Sequence, residues 1–222
     1  YAVIAMNAAA WIFLQGMGTY PRLIESVFEF GVIPGELLGL VPAGSRVPLA
    51  PGLEYVVEPT PNFLSVVTHM FMHGGWLHII GNMWFLYVFG DNVEDALGSA
   101  RFAVFYLVCG LAALVLQVVL HPSSTVPMVG ASGAISGVMG AYIVLYPRAP
   151  VHMLVFLGFF ITRIVVPAFF MLGYWFLLQL AGGLFSLGGT GGGVAFWAHV
   201  GGFVAGILLV KPMCDPERTA AC

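Results

Sequence analysis

Charged residues are scarce in this chain. Of its 222 residues only 8% are charged, whereas 60% are hydrophobic and the mean hydropathy is +0.98. A soluble domain covers its surface with about 25% charged residues. The polar residues here are too few for that, which excludes a soluble globular protein. The net charge of −3 is also too small to indicate a nucleic-acid partner.

Cysteines are few as well. Cys109, Cys214 and Cys222 are odd in number and scattered, so the sequence predicts neither a disulfide framework nor a metal cluster. His69 and His73 stand four residues apart, a spacing that two metal ligands on a helix would have. However, no HExxH motif occurs and no carboxylate lies near them in sequence, so we expect no metal site.

Long apolar runs, in contrast, are abundant, and they favour membrane-spanning helices over the short alternating segments of a β-barrel. We predict six spans, at Tyr1–Gly16, Phe63–Gly90, Phe102–Leu120, Ser132–Tyr146, Ala168–Leu187 and Val194–Val210. The predicted fold is an all-α membrane protein, with a six-helix domain over residues 1–210 and a polar tail over 211–222. Because the chain starts inside an apolar run, we expect span one to be truncated at its start.

Three connections are distinctive. The stretch Thr19 to Asn62 is polar and proline-rich, and we interpret it as a long loop between spans one and two that lies partly in the membrane interface. Val151 to Phe160 is apolar but short, which is typical of an embedded or interfacial connector. Gly188 to Gly193 is a glycine-rich loop whose residues permit motion.

The basic residues predict the orientation. The loops after spans two and four, together with the tail, hold Arg101, Arg148, Arg163, Lys211 and Arg218. The opposite side holds Arg22 and Arg46 and most of the glutamates. By the positive-inside rule both termini are cytoplasmic and the long loop is external.

Four polar side chains then fall at one depth. His78 and Asn82 lie in the first turns of span two, Ser132 opens span four, and His199 lies near the start of span six. At 1.5 Å per residue, all are within roughly 10 Å of the external edge of the apolar layer. Each has a simpler interpretation alone: Ser132 as a packing residue among small neighbours, and the others as groups that hydrogen-bond between helices. Together they indicate a polar site that faces a cavity.

The chemistry of this set favours nucleophilic catalysis. Ser132 is the candidate nucleophile and His199 the candidate base. His78, Asn82 and the Ser132 backbone N–H are candidate donors to an oxyanion. Since no acidic residue is predicted near His199, the sequence indicates a Ser–His dyad. The tautomer of His199 must then be fixed by packing or by other hydrogen bonds.

Small residues permit the close packing that this dyad requires. Gly133 and Gly137 follow Ser132 on span four, while Gly202 and Gly206 form a GxxxG motif after His199 on span six. Larger side chains at these positions would hold spans four and six apart.

These residues resemble the rhomboid family of intramembrane serine proteases, of the bacterial type with a six-span core. The matching motifs are His78-Ile79-Ile80-Gly81-Asn82, Gly130-Ala131-Ser132-Gly133, and Ala198-His199-Val200-Gly201-Gly202 followed by Gly206. The resemblance runs from about Thr68 to Val210. It implies that Ser132 is the nucleophile, His199 the base, and His78 and Asn82 part of the oxyanion hole, with His73 structural or water-retaining.

The resemblance further implies hydrolysis of a peptide bond in or near the transmembrane helix of a membrane-protein substrate. It implies lateral substrate entry past span five, no cofactor, and a multi-pass location in a bacterial plasma membrane. Some family members have an aromatic residue four positions after the serine, where this chain has Ser136.

Two alternatives stay open: a catalytically silent member that binds transmembrane clients, and a transporter or channel. The latter predicts polar residues at several depths, and Gln117 and Gln179 are the main mid-membrane examples.

Overall fold

The structure is a computed structural model that describes residues 1–50, 53–158, 160–187, 193–219 and 221–222. Helices account for most of it. They are α1 (Ala2–Ala9, continued by a π-helical turn, Ala10–Leu14), α2 (Arg22–Phe30), α3 (Pro34–Leu37), α4 (Ser65–Thr68), α5 (Trp76–Leu97), α6 (Ser99–Leu120), α7 (Ser132–Leu145), α8 (Ala168–Ser186) and α9 (Phe196–Met213). The predicted glycine-rich loop lies outside the described residues, except for Gly193.

Three of the described helices, α6, α8 and α9, are long and apolar enough to cross a membrane. α1 with its π-helical turn, and α7, are apolar but shorter. The six predicted spans therefore correspond to helices of unequal length, and the six-span count stays a prediction.

Helix α5 is displaced from the predicted second span. The prediction was 63–90, whereas the helix runs over 76–97, so the acidic residues at 91–95 lie within its last two turns. Gly98 ends it with a φ of +80°, a left-handed conformation that favours glycine. Residues 65–71 form α4 and a 3-10 turn instead, which removes His69 and His73 from a common helical face.

Two antiparallel hairpins correct the all-α prediction to a mostly helical fold. They are β1 (Arg46–Ala50) with β2 (Leu53–Val56), and β3 (Pro150–Leu157) with β4 (Phe160–Pro167). β4 is rich in β-branched residues, which fit a pleated strand better than a helix. The predicted connector at 151–160 thus belongs to a hairpin whose second strand is almost entirely exposed.

The loop between α1 and α5 is folded rather than irregular. Tyr55 donates a hydrogen bond from its hydroxyl to the buried Glu36 carboxylate, at 2.7 Å. Burial, and then this hydrogen bond, raise the pKa of Tyr55, so its hydroxyl stays a donor. Val32 and Met128 exchange backbone hydrogen bonds of 3.0 and 2.7 Å. This pairing ties the loop to the segment that leads into α7.

Helix α7 is the most buried helix of the bundle, and glycines bring α9 against it. A Cβ atom on Gly202 would overlap the carbonyl oxygen of Gly133, and one on Gly206 would overlap that of Gly137. A Cβ atom on Gly140 would likewise overlap the Phe203 carbonyl oxygen. The two backbones therefore touch, as the small residues of spans four and six predicted.

The cysteine prediction needs correction. Cys214 and Cys222 form a disulfide, with their Cα atoms 5.7 Å apart. Their separation of eight residues spans a turn in the tail, and such proximity is not visible from spacing alone. Cys109 is a free, buried thiol in the core. Within the described part of the chain, no three His, Cys, Asp or Glu side chains are grouped as a metal site.

Candidate active site

Ser132 and His199 meet where α7 and α9 begin. Ser132 is the first residue of α7, and His199 lies in the first turn of α9. The distance between His199 Nε2 and Ser132 Oγ is 2.8 Å. The glycine contacts between α7 and α9 set this distance, since the helices could not otherwise approach. The two residues are 67 positions apart in sequence, so only the packing of the helices joins them.

The other ring nitrogen of His199 has a partner that the sequence did not predict. His199 Nδ1 lies 2.8 Å from Oε1 of Gln179, in the middle of α8. Trp175, one turn earlier on α8, places its ring 5.8 Å from the imidazole, with the planes inclined by 41°. The only sign of this partner in the sequence was that Gln179 is a polar residue in the middle of an apolar span.

Ser136 does not take part in holding His199. Its hydroxyl is buried and donates to the backbone carbonyl of Ser132 at 2.6 Å. The aromatic neighbour of the imidazole is therefore Trp175 from α8, instead of a residue one turn after the serine on α7.

His78 and Asn82 line the same cavity from α5. The cavity has a volume of about 890 Å³, and its lining includes Ser132 and His199. The backbone N–H of Gly74 donates to His78 Nδ1 at 3.2 Å, which leaves the ring hydrogen on Nε2. Asn82 Nδ2 is buried and has no hydrogen-bond partner among the described residues. Both side chains thus hold N–H donors at the cavity that have no acceptor in the part of the chain that the structure describes.

Gly130 separates His78 from Ser132. Its φ is +126°, and a Cβ atom there would lie 2.7 Å from His78 Nε2 and 3.5 Å from Ser132 Oγ. Only glycine combines this backbone conformation with this contact. The Gly130 N–H donates to the His69 carbonyl at 2.9 Å, which fixes the turn before α7.

His73 supports the site from behind. Its buried ring packs edge-on against that of His78, with centroids 5.1 Å apart. Gln15 clamps its backbone: Oε1 accepts from the His73 N–H, and Nε2 donates to the His73 carbonyl, both at 2.8 Å. Gln15 was not singled out from the sequence, because its partner is 58 residues away. His69 Nδ1 instead hydrogen-bonds to the Ser65 carbonyl at 2.9 Å.

Gln117 joins α6 to the start of α9. Its Oε1 accepts from the Ala198 N–H at 3.3 Å, next to His199 in sequence. The cavity lining that the structure describes contains histidine, amide and hydroxyl groups, and no Asp, Glu, Lys or Arg.

The fold and this cavity define a class of protein, a helical membrane protein with a serine and a histidine in contact in a cavity between its helices. A comparison with protein families makes the class specific. Residues 60–216 match the rhomboid domain, and the chain therefore belongs to the rhomboid family of integral membrane proteins.

Relatives are found in bacteria and in eukaryotic organelles. The chain is 29% identical over 165 residues to Rhomboid-like protein 11, chloroplastic, of Arabidopsis thaliana, which is 70% of this chain and 54% of that protein. It is 33% identical over 157 residues to Rhomboid protease GluP of Bacillus subtilis (strain 168), which is 70% of this chain and 27% of that protein.

A third relative is named as inactive. The chain is 32% identical over 89 residues to Inactive rhomboid protein 1 of Drosophila melanogaster, covering 40% of this chain and 6% of that protein. The chain thus spans about half or less of the length of these relatives. Family membership alone does not decide between an active and an inactive protein.

Proposed function

We propose that this protein is an intramembrane serine endopeptidase that hydrolyses a peptide bond in or near the transmembrane helix of a membrane-protein substrate. The observation that carries the proposal is the 2.8 Å contact between Ser132 Oγ and His199 Nε2. A serine becomes a nucleophile when a base within hydrogen-bond reach accepts its proton.

In the proposed reaction, His199 Nε2 takes the hydroxyl proton while Ser132 Oγ attacks the carbonyl carbon of the substrate. The oxyanion that forms accepts hydrogen bonds from His78 Nε2–H, from Asn82 Nδ2–H and from the backbone N–H of Ser132. As the first residue of α7, Ser132 has an N–H without a carbonyl partner in the preceding turn. His199 then protonates the leaving amine, and an acyl-enzyme remains.

Water completes the cycle. It transfers a proton to His199 and attacks the ester carbon, and the second oxyanion occupies the same donors. Its collapse breaks the ester bond, and His199 returns the proton to Ser132 Oγ. No acid takes part beyond the imidazolium, which supports a dyad in place of a Ser–His–Asp arrangement.

The proposed orientation follows from the charge distribution, and the bacterial plasma membrane follows from the family resemblance. We infer that the cavity opens toward the external face of a bacterial plasma membrane, that both termini are cytoplasmic, and that transmembrane substrates enter laterally past α8. Exposed apolar side chains along α8, including Phe170, Leu177 and Phe185, are suited to contact with lipid or with a substrate helix.

Covalent labelling tests the dyad directly. A fluorophosphonate probe should label the folded wild-type protein at Ser132, and Ser132→Ala should abolish both the adduct and the cleavage of a reporter transmembrane substrate. His199→Ala should have the same effect on cleavage, because the serine loses its base. Ser99→Ala, at an exposed serine outside the cavity, is the matched control and should behave as wild type.

A catalytically silent protein that binds transmembrane clients is the second candidate function, and the match to a relative named as inactive supports it. It predicts a folded wild-type protein that forms no adduct and cleaves nothing. Full cleavage by Ser132→Ala or by His199→Ala would reject the dyad itself.

A further inference from the structure

Gln179 forms a contact that neither the dyad nor the oxyanion donors account for. It lies in α8, an apolar helix with few buried side chains, and its amide oxygen lies 2.8 Å from His199 Nδ1. A polar amide in such a helix is costly unless it is hydrogen-bonded. Its partner is the one nitrogen of the dyad histidine that does not face the serine.

The orientation of the amide follows from its second contact. Nε2 of Gln179 donates to the carbonyl of Trp175, one turn earlier on α8, at 3.4 Å. With the nitrogen directed to that carbonyl, the oxygen is directed to His199. An amide oxygen only accepts hydrogen bonds, so Nδ1 of His199 must carry the ring hydrogen.

This choice of tautomer has a chemical consequence. In a neutral imidazole with hydrogen on Nδ1, Nε2 has a free lone pair. That lone pair faces Ser132 Oγ at 2.8 Å. The opposite tautomer would direct an N–H at the serine hydroxyl and could not accept its proton. Gln179 therefore favours the form of His199 that can act as a base.

We propose that Gln179 is a positioning residue that selects the Nδ1–H tautomer of His199 and holds the ring in line with Ser132, as the third member of a hydrogen-bonded Ser–His–Gln series in which Gln179 exchanges no proton. The inference rests on the proposed function. Trp175 contributes by packing on the imidazole, which limits its rotation. Because an amide is neutral, Gln179 orients the ring without the charge of a carboxylate, so its contribution should be smaller than that of a triad Asp.

Steady-state kinetics on a reporter transmembrane substrate test the proposal. Gln179→Leu replaces the amide with an apolar side chain of similar size and so removes the acceptor. We expect kcat to fall about 10- to 100-fold, with KM within about twofold, since the loss concerns proton transfer and not substrate binding. Gln179→Glu restores an acceptor at the same position, and kcat should recover to within about fivefold of wild type.

Tyr174→Phe is the matched control. It removes a polar atom from an exposed side chain on the same helix, away from His199, and should leave kcat and the Nδ1–H tautomer of His199 unchanged. Thermal unfolding of each variant separates a loss of positioning from a loss of fold.

Nitrogen-15 NMR of the His199 ring supplies a measurement that does not depend on turnover. The wild-type ring should carry its hydrogen on Nδ1, and Gln179→Leu should give a mixture of tautomers. If the wild-type protein shows this tautomer and loses it in the variant but cleaves nothing, the proposed function fails while the positioning contact stands. If wild type cleaves, and the variant keeps both its kcat and a pure Nδ1–H ring, the positioning role is rejected.

Discussion

The two histidines of the cavity differ in the nitrogen that is free to interact with a substrate or with the serine. Gly74 donates to Nδ1 of His78, so its Nε2 is a donor, whereas Gln179 accepts from Nδ1 of His199, so its Nε2 is an acceptor. In the proposed reaction, one residue type thus supplies an oxyanion donor and a base in one cavity. The neighbouring group decides the role in each case.

Substitution of Asn82 tests its proposed role as an oxyanion donor. Its Nδ2 has no described hydrogen-bond partner, so Asn82→Ala removes an oxyanion donor and breaks no hydrogen bond of that nitrogen. We expect kcat to fall by about 100-fold, as for the loss of one oxyanion donor. The melting temperature should change little. Asn92→Ala, at an exposed position on the same helix, should retain full activity, and equal activity in both variants would contradict the proposed oxyanion hole.

Among the helices and their connections, close backbone packing controls the site. α9 reaches α7 only because glycines face carbonyl oxygens across the interface. The turn before α5 is fixed by Gln15, whose amide satisfies both backbone groups of His73. An unpaired buried group would cost about 1–3 kcal/mol, so this clamp stabilises the turn that carries Gly74 and orients His78.

The interface between α7 and α9 should not tolerate a methyl group. In Gly206→Ala, the new Cβ atom meets the Gly137 carbonyl oxygen, and backbone atoms cannot rotate away. We expect a loss of about 1–3 kcal/mol in the free energy of unfolding, from overpacking, together with reduced cleavage. Thermal unfolding in detergent measures the loss.

Gly173→Ala is the matched control for this substitution. Its Cβ atom would meet nothing within 4 Å, and alanine is the better helix former by about 0.5–1 kcal/mol. The control should therefore melt at or slightly above the wild-type temperature. A Gly206→Ala protein as stable and active as this control would show that α7 and α9 can separate without loss.

For the whole molecule, two features indicate opposite environments for the tail. The basic residues predict that it lies in the cytoplasm. The Cys214–Cys222 disulfide belongs instead to the chemistry of oxidising compartments, since cytosolic thiols are kept reduced. The proposed topology follows the basic residues, because they are distributed over several connections, whereas the disulfide joins two cysteines of one short segment.

Thiol labelling of intact cells tests this topology. In a chain without its native cysteines, Ser124→Cys should react with a membrane-impermeant maleimide, because its loop is predicted to be external. Arg148→Cys should react only after the cells are permeabilised. The opposite pattern would place the cavity on the cytoplasmic side and reverse the proposed route of the substrate.

The sequence by itself determined the membrane class, the helical character and the residues of the motifs, because each depends on composition or on local spacing. It also indicated that α7 and α9 must pack closely, since glycines about one turn apart lie on one face of a helix and leave room there for a neighbouring backbone. It did not predict the β3–β4 hairpin or the Cys214–Cys222 pairing. Both features depend on contacts between strands or across a turn, which the apolarity of a segment and the spacing of its residues do not specify.

Only the tertiary structure decided which groups surround His199. Ser132, Gln179 and His199 lie on three different helices, and no local pattern specifies which side chains meet when helices pack. The serine stretch before α7 was recognisable from its small residues. The means of holding the histidine was not, because it depends on the rotation of α8 about its own axis. That rotation directs the Gln179 amide at Nδ1 and the Trp175 ring at the imidazole.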